Sequence, residues 1–201
     1  LYLSVNDVRW PSDSIPVVDL ANVDPAHIKR GQISDESGRL CGDTLKCMID
    51  LALAGDLDAI SFAPLNKAAL HRGGWAFHDE HQMFAKLTNH TGFFGEMNVI
   101  PEFATFRVTS HVALREAIDM ITPDRIENAL RLADMTLRAM GCDPPRIGVA
   151  ALNPHCGENG LFGDEEIRII GPTLEKLRHD GIAATGPLSS DTIFLRARRG
   201  E

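Results

Sequence analysis

No stretch of this chain approaches the roughly 20 consecutive apolar residues that a membrane-spanning helix needs, so a transmembrane role is set aside. Cysteine is scarce. Cys41, Cys47, Cys142 and Cys156 stand apart with no CxxC pair, which excludes a disulfide framework and favours a reducing compartment, the cytoplasm by default. Positive charge is in deficit: a formal net charge of −8 removes any general affinity for nucleic acid or anionic membrane. The opening residues lack the basic and long apolar regions of a signal peptide. There is no GxGxxG, no GxxxxGK and no G-x-S-x-G, so the familiar dinucleotide, P-loop and nucleophile-elbow signatures are all missing. Internal repeats and low-complexity linkers are absent too.

What is present is an ordinary globular composition, 44% hydrophobic and 24% charged over 201 residues, enough for one substantial domain or a domain plus part of another. Pro16–Leu20 is β-prone, and the polar run to about Gly38 reads as loop. Leu40, Leu45, Met48, Ile49 and Leu53 recur at helical spacing up to a stop at Gly55. "LDAISFAPLNK" predicts a strand of about five residues that breaks at Pro64. Helical patterns cover residues 66–72 and 78–90, separated by Gly73-Gly74. "FRVTSHV" (106–112) alternates like a strand and leads into a short helix over "ALREAIDMI".

Thr122-Pro123 reads as N-cap and first helical residue of the next helix, with Ile126, Leu130, Ala133 and Leu137 on one face. "RIGVAAL" is a buried-looking strand. Asp164-Glu165-Glu166 open a helix that Pro172 kinks, and "IAATGPL" is the final strand. Alternating helices and strands imply an α/β domain with mixed or mostly parallel pairing. Both ends of the sequence read like the middle of something larger.

Ligands of open α/β sheets gather at the carboxyl ends of strands, so those exits carry the candidate chemistry. They are "APLNK" with Lys67, "TSH" with His111, "LNPHCGE" with Asn153 and His155, and "GPLSSDT" with Asp191. His111 and His155 suit zinc or another divalent transition metal, but a catalytic metal usually takes about three protein ligands, which leaves Asp191 or a segment elsewhere to complete the set. Spacing alone favours reading either histidine as a satisfied structural residue. Lys67 can offer its ammonium to a carboxylate or phosphate, or be an ordinary solvated lysine. Cys156, beside His155, reads as a small packing residue rather than half of a nucleophile pair.

In this order, "APLNK", "VTSHVALREA", "ALNPHCGENGLFGDEE" and "GPLSSDTIF" resemble the 4-hydroxythreonine-4-phosphate dehydrogenase (PdxA) family over about residues 16–195. The resemblance implies an isocitrate/isopropylmalate-dehydrogenase-like α/β/α fold, incomplete here at both ends. It also implies a homodimer with shared active sites, NAD as hydride acceptor and a divalent metal (Zn, Mg, Co or Mn), in the setting of pyridoxine biosynthesis. By position, His111 and His155 match two of the family's three metal histidines; the third belongs to a downstream Tyr-His-Asp-Gln-Gly motif that does not occur here. Residues 1–201 are thus expected to be the central, mostly metal-, substrate- and dimer-forming portion, inactive alone, with the cofactor-binding parts lying outside it.

Lys67 and Asp191 are the candidate catalytic residues, and Glu80, His81 and Asn153 the candidate substrate contacts; no cofactor-binding residue is assigned. One departure bears on substrate. Where the family has Gly-His-Thr-Glu, this chain has Asp79-Glu80-His81-Gln82, so a carboxylate takes the place of a phosphate-contacting histidine. The expected reaction is oxidation and decarboxylation of a phosphorylated hydroxy acid such as 4-phosphooxy-threonine. The alternatives are an unphosphorylated cis-dihydrodiol carboxylate such as terephthalate dihydrodiol, and a non-catalytic dimerisation or binding module.

Overall fold

Ser34 starts the longest helix. In the computed structural model, which describes residues 4–9, 13–77 and 79–201, the Ser34 and Ser37 side chains cap each other's backbone N–H groups, and helix α1 runs Asp35–Ala54. Gly55 closes it in the left-handed conformation, φ 81°. The helix therefore begins inside the segment that polarity marks as loop. Gly38 is buried within it because α1 crosses α2 (Lys67–Arg72) almost backbone to backbone. A Cβ on Gly38 would lie 1.6 Å from the Ala69 carbonyl oxygen, and one on Gly73 would lie 2.1 Å from the Arg39 nitrogen.

These elements belong to the first of two compact units, Leu1–Thr91. Its core is Leu45, Leu70 and Met83, with Cys41, Trp75, Phe77 and Phe84 packed around them. Asn66 and Asp79 cap α2 and α3 (Glu80–Leu87) through their side chains. His78, where the second helical pattern is expected to start, lies outside the described residues. Two expected strands do not form. Residues 16–20 contain a single bridge position and 57–66 are extended without a ladder, because among the described residues no neighbouring strand takes up their N–H and C=O groups.

The second unit, Gly92–Glu201, holds a short antiparallel pair, β1 (Met97–Val99) with β2 (Ala104–Phe106), then α4 (Leu114–Asp119) and α5 (Pro123–Ala139). Thr122 and Pro123 start α5 as their residue types require. Strand β2 stops at Phe106, short of the expected 106–112. Beyond it the Val108 carbonyl is taken by Arg125 Nε at 2.7 Å, and the Val108 side chain packs into the core; its alternation reflects packing, not a ladder.

Strand β3 (Ile147–Ala150) pairs in parallel with β4 (Ala184–Leu188), and the crossover between them carries a π-helical turn, Glu166–Ile170, that passes into α6 (Gly171–His179). Pro172 sits at the first turn of α6, where its missing N–H costs least. The last helix, α7, is Ile193–Arg198. Ile126, Leu130, Ile170, Leu174, Leu177 and Ile182 form the core of this unit, and Leu174 and Leu177 are fully buried. Parallel and antiparallel pairing thus coexist, as an α/β reading of the sequence expects. No helix among the described residues is long and apolar enough to cross a membrane.

Candidate active site

The exit of β3 is built around a buried carboxylate. Ala151 donates to the Leu188 carbonyl at 2.8 Å and accepts from Ser190 Oγ at 2.5 Å, which ties the two parallel strands together at their carboxyl ends. The next two N–H groups, of Leu152 and Asn153, both donate to Glu166 Oε1 at 2.7 Å. The Asn153 side-chain amide donates to Glu166 Oε2 at 2.9 Å and to Glu165 Oε2 at 2.6 Å. Glu166 is 4% exposed. Burial alone would push its carboxyl up, but the hydrogen bonds from Asn153 and Leu152 overcome that and hold it below the ordinary carboxylate range.

After Asn153-Pro154 the chain turns left-handed. His155, Cys156, Gly157, Glu158 and Asn159 all have positive φ, from 45° to 76°. Four of the five carry a Cβ, and each such residue costs about 1–2 kcal/mol relative to right-handed backbone, so the turn persists only because its surroundings impose it. Glycines make the closure fit: a Cβ on Gly157 would stand 2.5 Å from the Gly163 carbonyl oxygen and 3.1 Å from Glu166 Oε2, and one on Gly163 would strike the Asn153 side chain at 2.4 Å. The result is an exposed His155 on a backbone set by buried contacts.

Cys156 Sγ approaches the Pro187 carbonyl at 3.8 Å, and burial, with the charges of Glu166 and Asp191, pushes its thiol up. It is therefore a packing residue and a poor nucleophile, as read from the sequence. Asp191 at the exit of β4 is exposed and accepts from Ser189 Oγ at 2.7 Å, and its charge is the smallest of the three causes that raise the Cys156 thiol.

His111 lies on another loop of the same unit, also with positive φ, 53°. Its Nε2 is 3.0 Å from Glu96 Oε1, while Glu96 Oε2 accepts from Ser110 Oγ at 2.9 Å and pairs with Arg107. A carboxylate against one ring nitrogen orients the imidazole, as the supporting partners of metal-ligating histidines do. Two imidazoles with carboxylates nearby fit a borderline divalent cation in kind. They make up part of a ligand set: within the second unit no three described His, Cys, Asp or Glu side chains bring ligand atoms within 4.8 Å of one another.

Lys67, Glu80 and His81 belong to the first unit. Lys67 opens α2 and Glu80 opens α3, and Lys67 Nζ lies 3.6 Å from Glu80 Oε2. His81 Nδ1 is 3.9 Å from Asp79 Oδ1. The lysine expected to hold an anionic substrate group thus already faces the carboxylate that departs from the family pattern. Sequence reasoning missed Glu96, a lone carboxylate before a strand that carries no motif signal, and it read Glu166 as a helix-opening acid. The i, i+13 relation of Glu166 to Asn153 is visible only once the chain folds back.

A family model described as pyridoxal phosphate biosynthetic protein PdxA matches residues 3–201. The D-threonate 4-phosphate dehydrogenase of Pectobacterium atrosepticum is 39% identical over 195 residues, covering 97% of this chain and 60% of that one. The crystal structure of 4-hydroxythreonine-4-phosphate dehydrogenase from Klebsiella pneumoniae superimposes with a TM-score of 0.82 at 38% identity, over 89% of this chain and 54% of that one. A terephthalate 1,2-cis-dihydrodiol dehydrogenase from Burkholderia xenovorans is more distant, with a TM-score of 0.62 and 26% identity over 90% of this chain and 58% of that one. The chain spans about 60% of the length of its curated relatives.

Proposed function

The chain belongs to the PdxA family, and from that premise we propose that it is the central portion of a dehydrogenase acting on a secondary alcohol of a phosphorylated hydroxy acid. The observation that carries the reading is the strand-exit turn, which matches the family's Asn-Pro-His motif in sequence and presents His155 on an imposed backbone. Relatives over nearly the whole chain are named for 4-phosphorylated threonine and threonate, which favours the phosphorylated substrate. The mixed α/β architecture with parallel β3 and β4 supports an isocitrate/isopropylmalate-dehydrogenase-like fold for the whole enzyme, and a cytoplasmic homodimer sharing its active sites belongs to the same reading.

In this reading His111 and His155 would hold a divalent cation through imidazole nitrogens, and Glu96 orients the His111 ring. When bound, the cation supplies Lewis-acid polarisation of the alcohol and its neighbouring carboxylate, and NAD supplies the hydride acceptor for a reaction that ends in loss of CO₂. Asn153 and Asp191 line the exits of β3 and β4 on the substrate side. Lys67 holds the substrate's anionic end, its charge shared with Glu80, and His81 follows Glu80 on α3. That sharing is the observation in favour of a second reading, an unphosphorylated cis-dihydrodiol carboxylate.

The test is NADH formation by the full-length protein with 4-phosphorylated hydroxythreonine and threonate and with aromatic cis-dihydrodiols, each with and without chelator. Chelator-sensitive turnover of a phosphorylated substrate is expected. Turnover of the dihydrodiol alone selects the second reading, activity indifferent to chelation removes the metal, and no turnover of either class leaves a non-catalytic binding module.

A further inference from the structure

We propose that Glu166 is a positioning residue for His155: its buried carboxylate clamps the backbone on which the imidazole is presented. The proposal rests on the reading of His155 as a cation ligand. Three observations carry it. Glu166 Oε1 accepts from two successive backbone N–H groups, Leu152 and Asn153, at 2.7 Å each, so it fixes the two residues that lead into the turn. Its Oε2 accepts from Asn153 Nδ2 at 2.9 Å and lies against Gly157, where an added Cβ would be 3.1 Å away. One side chain thus touches both the entry and the middle of a left-handed run of five residues that L-amino acids avoid in isolation.

The carboxylate is nearly solvent-free and its three hydrogen-bond partners, Leu152 N, Asn153 N and Asn153 Nδ2, are all donors, which suits an ionised acceptor. A residue serving only to open a helix would point to its own first turn; Glu166 instead reaches back across the sequence to the β3 exit. Its effect on the reaction passes through where it puts His155.

The experiment uses the full-length protein and Co²⁺ as probe, read by titration and by the visible spectrum of the bound ion, with amide hydrogen exchange of the metal-free protein alongside. Glu166→Gln keeps shape but loses the charged acceptor. It is expected to weaken Co²⁺ about tenfold, alter the spectrum and speed exchange at Leu152 and Asn153; Glu166→Ala is expected to approach the upper end of the roughly 10–100-fold range for residues that support a ligand. Should Glu166→Ala fail to fold, Asn153→Ala decides with Glu166→Gln, since it removes one donor and leaves the carboxylate in place. As part of the clamp it weakens Co²⁺ as well; as a mere substrate contact it moves KM alone.

His155→Ala separates the two ideas. If it abolishes Co²⁺ binding while Glu166→Gln binds with unchanged affinity and spectrum, the clamp is overturned and the ligand stands. If His155→Ala binds Co²⁺ normally, the ligand reading itself falls.

Discussion

Replacing Gly38 by alanine sets two physical effects against each other, and the structure decides the sign. In a solvent-exposed helix interior the change is favourable by about 1 kcal/mol, because glycine is the poorer helix former. In α1 the new methyl would start 1.6 Å from the Ala69 carbonyl oxygen and 2.3 Å from its carbon, where ordinary contact begins at 3.4 Å. The obstacle is backbone, so no rotamer change relieves it; α2 must move off α1. Separating close-packed surfaces by even 1 Å forfeits up to about half of each contact's attraction. Overpacking of this kind costs about 1–3 kcal/mol and more when backbone must shift. We expect Gly38→Ala to destabilise the first unit by about 2 kcal/mol net after the propensity gain, roughly a 30-fold change in its folding equilibrium. Because α2 opens with Lys67, the same displacement should raise KM for an anionic substrate. Urea unfolding followed by tryptophan fluorescence measures the first effect and steady-state kinetics the second. A variant as stable as the parent would refute the close crossing of α1 and α2, and with it the account of why Gly38 is buried.

Three further outcomes are expected. Glu80→Gln releases Lys67 from a partly exposed ion pair and should lower KM for a phosphorylated substrate roughly two- to fivefold, the scale of an exposed pair, with kcat unchanged; a rise in KM would mean that Glu80 helps to bind. Leu174→Ala leaves a cavity in the core of the second unit and should cost about 2–5 kcal/mol by thermal or urea unfolding. Glu166 ionises more readily folded than at its ordinary value of 4.5, so the stability it contributes is fully present above that pH and is lost as pH falls through the depressed folded-state value. Acid titration of the second unit by circular dichroism should therefore show a shallower loss in Glu166→Gln over that window, and identical acid limbs would count against the buried carboxylate.

Elements with local signals were legible in the sequence. Thr122-Pro123 start α5 as read, Gly55 ends α1, and the strands at 147–150 and 184–188 fall inside the apolar runs that predict them. The errors share a cause. The extended segment at 57–66 and residues 107–112 have strand-like composition, but a strand is a relation between two chains of backbone and neither segment has a partner among the described residues. The start of α1 is hidden because Ser37 replaces the usual Glu of a capping box, and because Gly38 and Gly42, residues that weaken a helix, make room for the α2 backbone and for the Trp75 ring. At the candidate site, residue type and motif order single out His155, Asn153 and Asp191 as proposals, whereas Glu96 and Glu166 make contacts 13 to 15 residues away in sequence, beyond the reach of periodicity.

The left-handed turn at 155–159 also restricts which mutations this loop can survive. Side chains branched at Cβ are the least tolerant of positive φ, whereas glycine, asparagine, aspartate and histidine accept it most readily. Valine, isoleucine or threonine at any of the five positions should therefore be selected against even where the side chain touches nothing. Evolutionary drift through this stretch is confined to a small alphabet by handedness alone, before any demand of chemistry is imposed.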